Sequence, residues 1–103
     1  MSPVAGYKAR FTDEAESDLV RLYACLLDSD ERAAGRALQA IRMGLKLLEF
    51  TPYACRKVGG DSVYLREIIL PFGAAGYVAL YEIEPPDTVT VLAVRHQRED
   101  DYR

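Results

Sequence analysis

The sequence predicts an α+β fold: an N-terminal strand and an antiparallel two-helix hairpin packed on a small, mainly antiparallel β-sheet. Three observations carry that prediction. Apolar residues recur at helical spacing in two blocks between Thr12 and Phe50, joined by a short polar link. From Val63 to His96 the period changes, and three runs rich in Val, Ile, Leu and Tyr are separated only by turn-length segments. A chain of 103 residues accommodates one domain, spanning 1–103, with a modest core.

Tyr7-Lys8-Ala9-Arg10-Phe11 alternates apolar and basic residues, the period of a half-buried strand. Thr12 follows as a helix N-cap, with Asp13, Glu14 and Glu16 in the first turn, where the helix dipole favours negative charge. Ala15, Leu19, Leu22, Tyr23 and Leu26 give this helix one apolar face. Asp28-Ser29-Asp30 interrupts the pattern, and Asp28 with Glu31 has the spacing of a capping box for a second helix. That helix carries Ala34, Ala37, Leu38, Ile41, Leu45 and Leu48 on one stripe. It is expected to end near Phe50, because Pro52 disfavours helical geometry at Thr51. Gly35 and Gly44 sit inside it, each costing about 1 kcal/mol relative to Ala, which points to close approach of a neighbouring backbone.

Three strands are expected at Val63 to Leu70, Gly76 to Glu84 and Thr88 to His96. Pro71-Phe72-Gly73-Ala74-Ala75 and Pro85-Pro86-Asp87 read as the turns between them. Connections this short force antiparallel neighbours, since a parallel crossover needs a dozen or more residues. In the last strand Val89, Val91 and Ala93 are expected on one face and Leu92 and Val94 on the other. It is therefore buried on both faces and central in the sheet.

Composition narrows the class. Half the residues are hydrophobic and 28% are charged, the make-up of a folded domain. A formal net charge of −3 argues against a life spent on nonspecific nucleic-acid attraction. Cys25 and Cys55 are too few for a disulfide scaffold and read as reduced thiols of a cytoplasmic protein. One histidine, His96, without Cys or His neighbours excludes a structural zinc site, and no cofactor or metal is expected. No basic stretch followed by an apolar run opens the chain, and no apolar run suits a membrane span, so no membrane partner is expected.

The net charge hides a segregation. Residues 1–31 carry −4, residues 67–103 carry −4, and residues 32–66 carry +5. Arg32 with Arg36, and Arg42 with Lys46, are each four apart, so each pair is close on the helix surface. Such pairs suit a solvated helix face or a docking surface for an acidic partner. Arg56 and Lys57 follow in a loop. Arg66 stands inside an apolar strand, where a charge needs a partner: Glu67, Glu82 or a carboxylate of another protein.

Arg95, His96, Arg98 and Tyr102 form the other dense cluster, interspersed with Glu99, Asp100 and Asp101. Cleavage of RNA needs a base for the 2′-hydroxyl, an acid for the leaving oxygen and cations for the phosphorane. His96, Tyr102, Arg95 and Arg98 have the chemistry for those parts. They equally suit a strand end whose basic groups pair with the nearby acids.

The ordered set FTDEAESDLVRLY, LLEFTP, VYLREI, GYVALYEIE and VTVLAVRHQREDDY resembles the RelE/ParE superfamily of type II toxin–antitoxin toxins, over nearly the whole chain. The resemblance implies the α+β fold already read from periodicity, and one of two activities. RelE-like toxins cleave mRNA on the ribosome, while ParE-like toxins poison DNA gyrase and are not nucleases. On the nuclease pattern Arg66 matches a strand cation, His96 the C-terminal Arg or His, and Tyr102 the terminal Tyr. The departure is Val78 after Gly76-Tyr77, where that type carries an Arg; Leu80 and Tyr81 follow. Losing one phosphate-stabilising cation costs on the order of 10²-fold in rate.

The expectation is therefore a ParE-like toxin acting on DNA gyrase, with ribosome-dependent mRNA cleavage as the alternative. The residues expected to meet target or antitoxin are Arg56, Lys57, Arg66, Arg95, His96 and Arg98. On the alternative, His96, Tyr102, Arg66 and Arg98 would be catalytic. The resemblance further implies a cognate antitoxin, operator DNA bound only through that antitoxin, and a homodimer or toxin–antitoxin hetero-oligomer.

Overall fold

The computed structural model describes residues 6–58, 60, 62–72 and 75–97. The elements are β1 (Lys8–Phe11), α1 (Asp13–Ser29), α2 (Glu31–Leu47), a 3-10 turn (Pro52–Ala54), β2 (Arg56–Lys57), β3 (Leu65–Phe72), β4 (Ala75–Glu84) and β5 (Thr88–His96). The strands form one sheet in the order β1-β5-β4-β3-β2, parallel at β1–β5 and antiparallel elsewhere. Both helices cover one face, α1 against β5 and α2 against β3.

Thr12 caps α1 as expected. Its Oγ1 accepts the Ala15 N–H at 3.1 Å, while its hydroxyl donates to the Leu92 carbonyl and its N–H to that of Val91. One residue thus starts the helix and ties it to β5. The second cap is Asp30, not Asp28. Asp30 Oδ1 accepts the Arg32 and Ala33 N–H groups at 3.0 and 3.2 Å. Asp28 stays inside α1, because the Asp30 N–H still donates to Leu26 and the helix runs on through Ser29. A single extended residue therefore closes one helix and opens the next.

The regular part of α2 ends at Leu47. Leu48, Glu49 and Phe50 continue as a tightened turn, each donating to the carbonyl three residues back. The two glycines of α2 differ. A Cβ on Gly44 would overlap Leu70 Cδ2, so α2 meets β3 through a side chain and not through backbone. A Cβ on Gly35 would meet nothing within 4 Å, so close approach does not account for that glycine.

The sheet corrects three expectations. The first hairpin strand is shifted to Leu65–Phe72, and Pro71, Phe72 and Ala75 lie in strands, where a turn was expected. Pro71 is tolerated because β2 pairs only with Arg66 and Glu67, leaving β4 as the one strand beside Pro71. Finally, the register slips between Leu80 and Tyr81, which oppose Ala93 and Val91. Leu92 is the extra residue of this bulge and reverses the alternation after it. Val94 therefore joins Val89 and Val91 on the helix-covered face, opposite Ala79, and Ala93 turns to the other face opposite Leu80.

The core lies between that face and the helices. Tyr77, Ala79, Tyr81 and Ile83 of β4 alternate inward with Val89, Val91 and Val94, against Ala37, Ile41, Leu45 and Leu48. Each large aliphatic side chain buried there contributes about 1.5–3 kcal/mol. The Tyr81 hydroxyl, fully buried, donates to the Pro52 carbonyl at 2.6 Å and anchors the 3-10 turn beneath the sheet.

Candidate functional site

Register decides which of the expected site residues meet. Residues directly opposite on neighbouring strands share a face. Arg66 is opposite Tyr81, and His96 is opposite Tyr77, so both lie on the helix-covered side. Tyr77 and Tyr81 are four positions apart on β4, a separation of about 13 Å along a strand. Arg95 is opposite Val78 and Arg56 opposite Glu67, which places both on the uncovered face. Arg98 and Tyr102 lie outside the described residues. The described members of the expected set are therefore divided between two faces and two ends.

Each placed residue has its own surroundings. The Arg66 guanidinium donates to three carbonyls, those of Tyr53, Cys55 and Val63, each at 2.8 Å, and lies 5.4 Å from the Tyr53 ring centroid. It holds the 3-10 turn to the loop before β3. Of the partners expected for it, Glu67 is instead engaged by Arg56, which donates through Nε at 2.6 Å and forms an ion pair through its Nη2. With Arg56 largely in solvent, that pair contributes no more than about 1 kcal/mol.

Arg95 is ion-paired with Asp18, a buried carboxylate on α1 that also accepts the Val94 N–H at 2.9 Å. The reason is local. β1 ends at Phe11, opposite Val91, so further along β5 a side chain of α1 replaces the missing strand. Lys57 is exposed on β2, beside Arg66 in the register.

The His96 ring meets Tyr77 edge-on at 5.4 Å between centroids, and Leu70 completes their row. Burial first, and then the Cys25 thiol, push the Tyr77 phenol above its ordinary range. Burial, followed by contact with Cys55, pushes Tyr81 much further up. Both phenols are therefore neutral near pH 7, as hydrogen-bond donors.

The middle of the uncovered face is apolar, with Ile69, Val78, Leu80 and Ala93; Glu82 and Glu84 lie beside it on β4. Tyr81, expected to join that surface, faces the core instead. Among the described residues no cluster of His, Cys, Asp or Glu gathers to hold a metal.

Two features escaped sequence reasoning. A groove of about 470 Å³ opens between β1, α1 and α2, floored by Phe11, Leu19, Ile41 and Leu45, with exposed Arg42 and Lys46 at its margin. The 42/46 spacing was visible, but the groove needs β1 packed beside the helices, a nonlocal fact. The second is an aromatic group, Tyr7, Tyr53 and Tyr64, around Arg66. Its members come from three separate segments.

No described helix is long and apolar enough to cross a membrane. Residues 9–101 match the family "ParE toxin of type II toxin-antitoxin system, parDE". Among sequence relatives, Toxin RelE3 of Caulobacter vibrioides is 35% identical over 86 residues, covering 82% of this chain and 88% of the relative. Toxin RelE1 of the same organism is 36% identical over 69 residues, covering 67% and 71%. Among solved structures, the chromosomal ParDE system of P. aeruginosa superposes with a TM-score of 0.68 at 16% identity, over 87% of this chain and 95% of the other. The toxin–antitoxin complex RelBE2 of Mycobacterium tuberculosis gives 0.60 at 24% identity, over 97% and 100%. These two show the same fold. With the family match spanning nearly all of the described sheet and helices, the chain belongs to the ParE toxin family of type II toxin–antitoxin systems, within the RelE/ParE superfamily.

Proposed function

We propose that this toxin acts in the ParE manner, arresting growth through protein contacts on DNA gyrase and not by cutting RNA. One observation carries the reading: His96 and Arg66, the two described members of the expected nuclease set, stand apart, opposite Tyr77 and Tyr81. His96 and Arg66 lie at opposite ends of the covered face, and Arg95 points from the other side toward Asp18. On β4, the uncovered face offers Val78, Leu80 and Glu82 where a phosphate would require cations. A net charge of −3 adds no general attraction to ribosomal RNA.

The groove between β1, α1 and α2 supports a cognate antitoxin as the second partner. Its apolar floor and its Arg42 and Lys46 margin suit an acidic amphipathic segment. The fold neighbours ParDE and RelBE2 are themselves toxin–antitoxin assemblies. On this reading the working form is a cytoplasmic toxin–antitoxin hetero-oligomer, and operator DNA is met only through the antitoxin.

The competing reading is ribosome-dependent mRNA cleavage, favoured by the RelE names of the two sequence relatives. Two assays separate the readings: gyrase supercoiling with added toxin, and cleavage of a translated mRNA. Inhibited supercoiling with intact mRNA is expected. Codon-dependent cuts that disappear in His96→Ala would overturn the proposal.

A further inference from the structure

Phe50 is 64% exposed, and Tyr53, three residues on, Val63 and Tyr64 are exposed as well. Tyr53 is held by Arg66, which lies over its ring and bonds its carbonyl. The Tyr7 N–H donates to the Glu49 carbonyl at 2.7 Å, which brings Tyr7 against the end of α2. The Tyr7 and Tyr64 phenols lie near that of Tyr53. Loss of water, then the Tyr7 and Tyr64 phenols, push the Tyr53 hydroxyl above its ordinary range. Arg66 covers one side of the Tyr53 ring and donates to the Val63 carbonyl, drawing the loop before β3 into the same surface.

The margin is basic. Lys46 lies one turn before Phe50, and Lys57 is exposed on the edge strand opposite Arg66. The nearby carboxylate is Glu49; Glu67 lies on the other face, where Arg56 engages it. Exposed apolar groups gathered in this way mark a contact with another macromolecule. Tyr and Arg are the residues that dominate binding energy at protein interfaces, and fixed rings lose little freedom on docking.

The occupant follows from charge and shape. A second copy meeting this surface symmetrically would set the same cations against one another. A nucleic acid finds one face of the Tyr53 ring taken by Arg66, and a net charge of −3 gives it no general attraction. We propose that Phe50, Tyr53 and Tyr64, bordered by Lys46 and Lys57, form the surface on which the toxin's target protein docks, through an acidic face bearing apolar residues. This rests on the reading that the target is a protein, gyrase.

The test is supercoiling by purified gyrase titrated with the full-length toxin and its variants. Phe50→Ala with Tyr64→Ala is expected to raise the half-inhibitory concentration at least tenfold. Lys57→Glu is expected to weaken inhibition and to flatten its salt dependence. Val20→Ala, an exposed apolar change on α1, leaves inhibition unchanged. Thermal melts of all variants follow in parallel; if the double variant is unfolded, Tyr64→Ala and Lys57→Glu decide. Inhibition by the folded variants at wild-type concentrations overturns the docking surface while leaving the gyrase reading intact. A wild-type toxin without effect on gyrase removes both. Labelled single-stranded RNA that binds the wild type and is lost by the same variants overturns the proposal in favour of a nucleic-acid surface.

Discussion

The cations of the sheet and those of α2 are the same residue types put to different uses. Arg66 donates to three carbonyls of its own chain, Arg95 pairs with Asp18, and Arg56 pairs with Glu67. Arg42 and Lys46 face solvent at the margin of an apolar groove. The difference lies in what surrounds each group. A charge entering a sheet meets unsatisfied backbone at loop ends and strand edges, and those acceptors claim it. A charge on the outer side of a helix finds the helix carbonyls already bonded and remains available to a partner.

Substitutions break or sharpen this contrast, and the largest effect belongs to Asp18. Changing it to Ala leaves Arg95 and the Val94 N–H without their carboxylate, and about 3 kcal/mol of stability is expected to go, read by urea unfolding. Arg66→Ala comes next, at about 2 kcal/mol, because charged donors to several carbonyls vanish together. Arg66→Lys restores little of this, since an ammonium lacks the planar fork. By contrast, Arg42→Glu combined with Lys46→Glu is expected to leave the unfolding midpoint within about 0.5 kcal/mol. That pair should instead weaken co-elution with the antitoxin at least tenfold.

Tyr81 gives a smaller, pH-dependent effect. Its phenol pKa is raised in the folded chain, so the folded state resists ionisation that the unfolded chain accepts. The associated stability is complete below the ordinary phenol value of about 10 and is lost as pH rises through the window above it. Melts between pH 8 and 11 should show this decline, and Tyr81→Phe should flatten it while costing about 1 kcal/mol for the bond to Pro52. The smallest change is a gain: Gly35→Ala adds up to about 1 kcal/mol, because nothing stands near the new methyl. Gly44→Ala destabilises through Leu70, which separates two glycines that look alike in the sequence.

Much of the fold was legible. Periodicity located both helices and all three long strands, and Thr12 announced its cap, because these signals are local. Pairing was less so. The bulge at Leu92 reversed Ala93 and Val94, which strict alternation could not foresee, and Asp30 displaced Asp28 once the link shrank to one residue. The site was read least well. Arg66 looked functional because its acceptors, the carbonyls of Tyr53, Cys55 and Val63, have no side-chain signature. Neither the groove nor the tyrosine group could be found from spacing, since their parts come from distant segments.

Among the described strands, the one made last is flanked by the one made first. β5 pairs with β1 on one side and β4 on the other, and Thr12 and Asp18 of α1 are bonded to it. Until residues near 96 leave the ribosome, β1 has no strand to pair with and α1 lacks the strand it packs against. A chain halted before Thr88 therefore has neither a paired β1 nor a strand beneath α1, and the fold closes only once β5 is made.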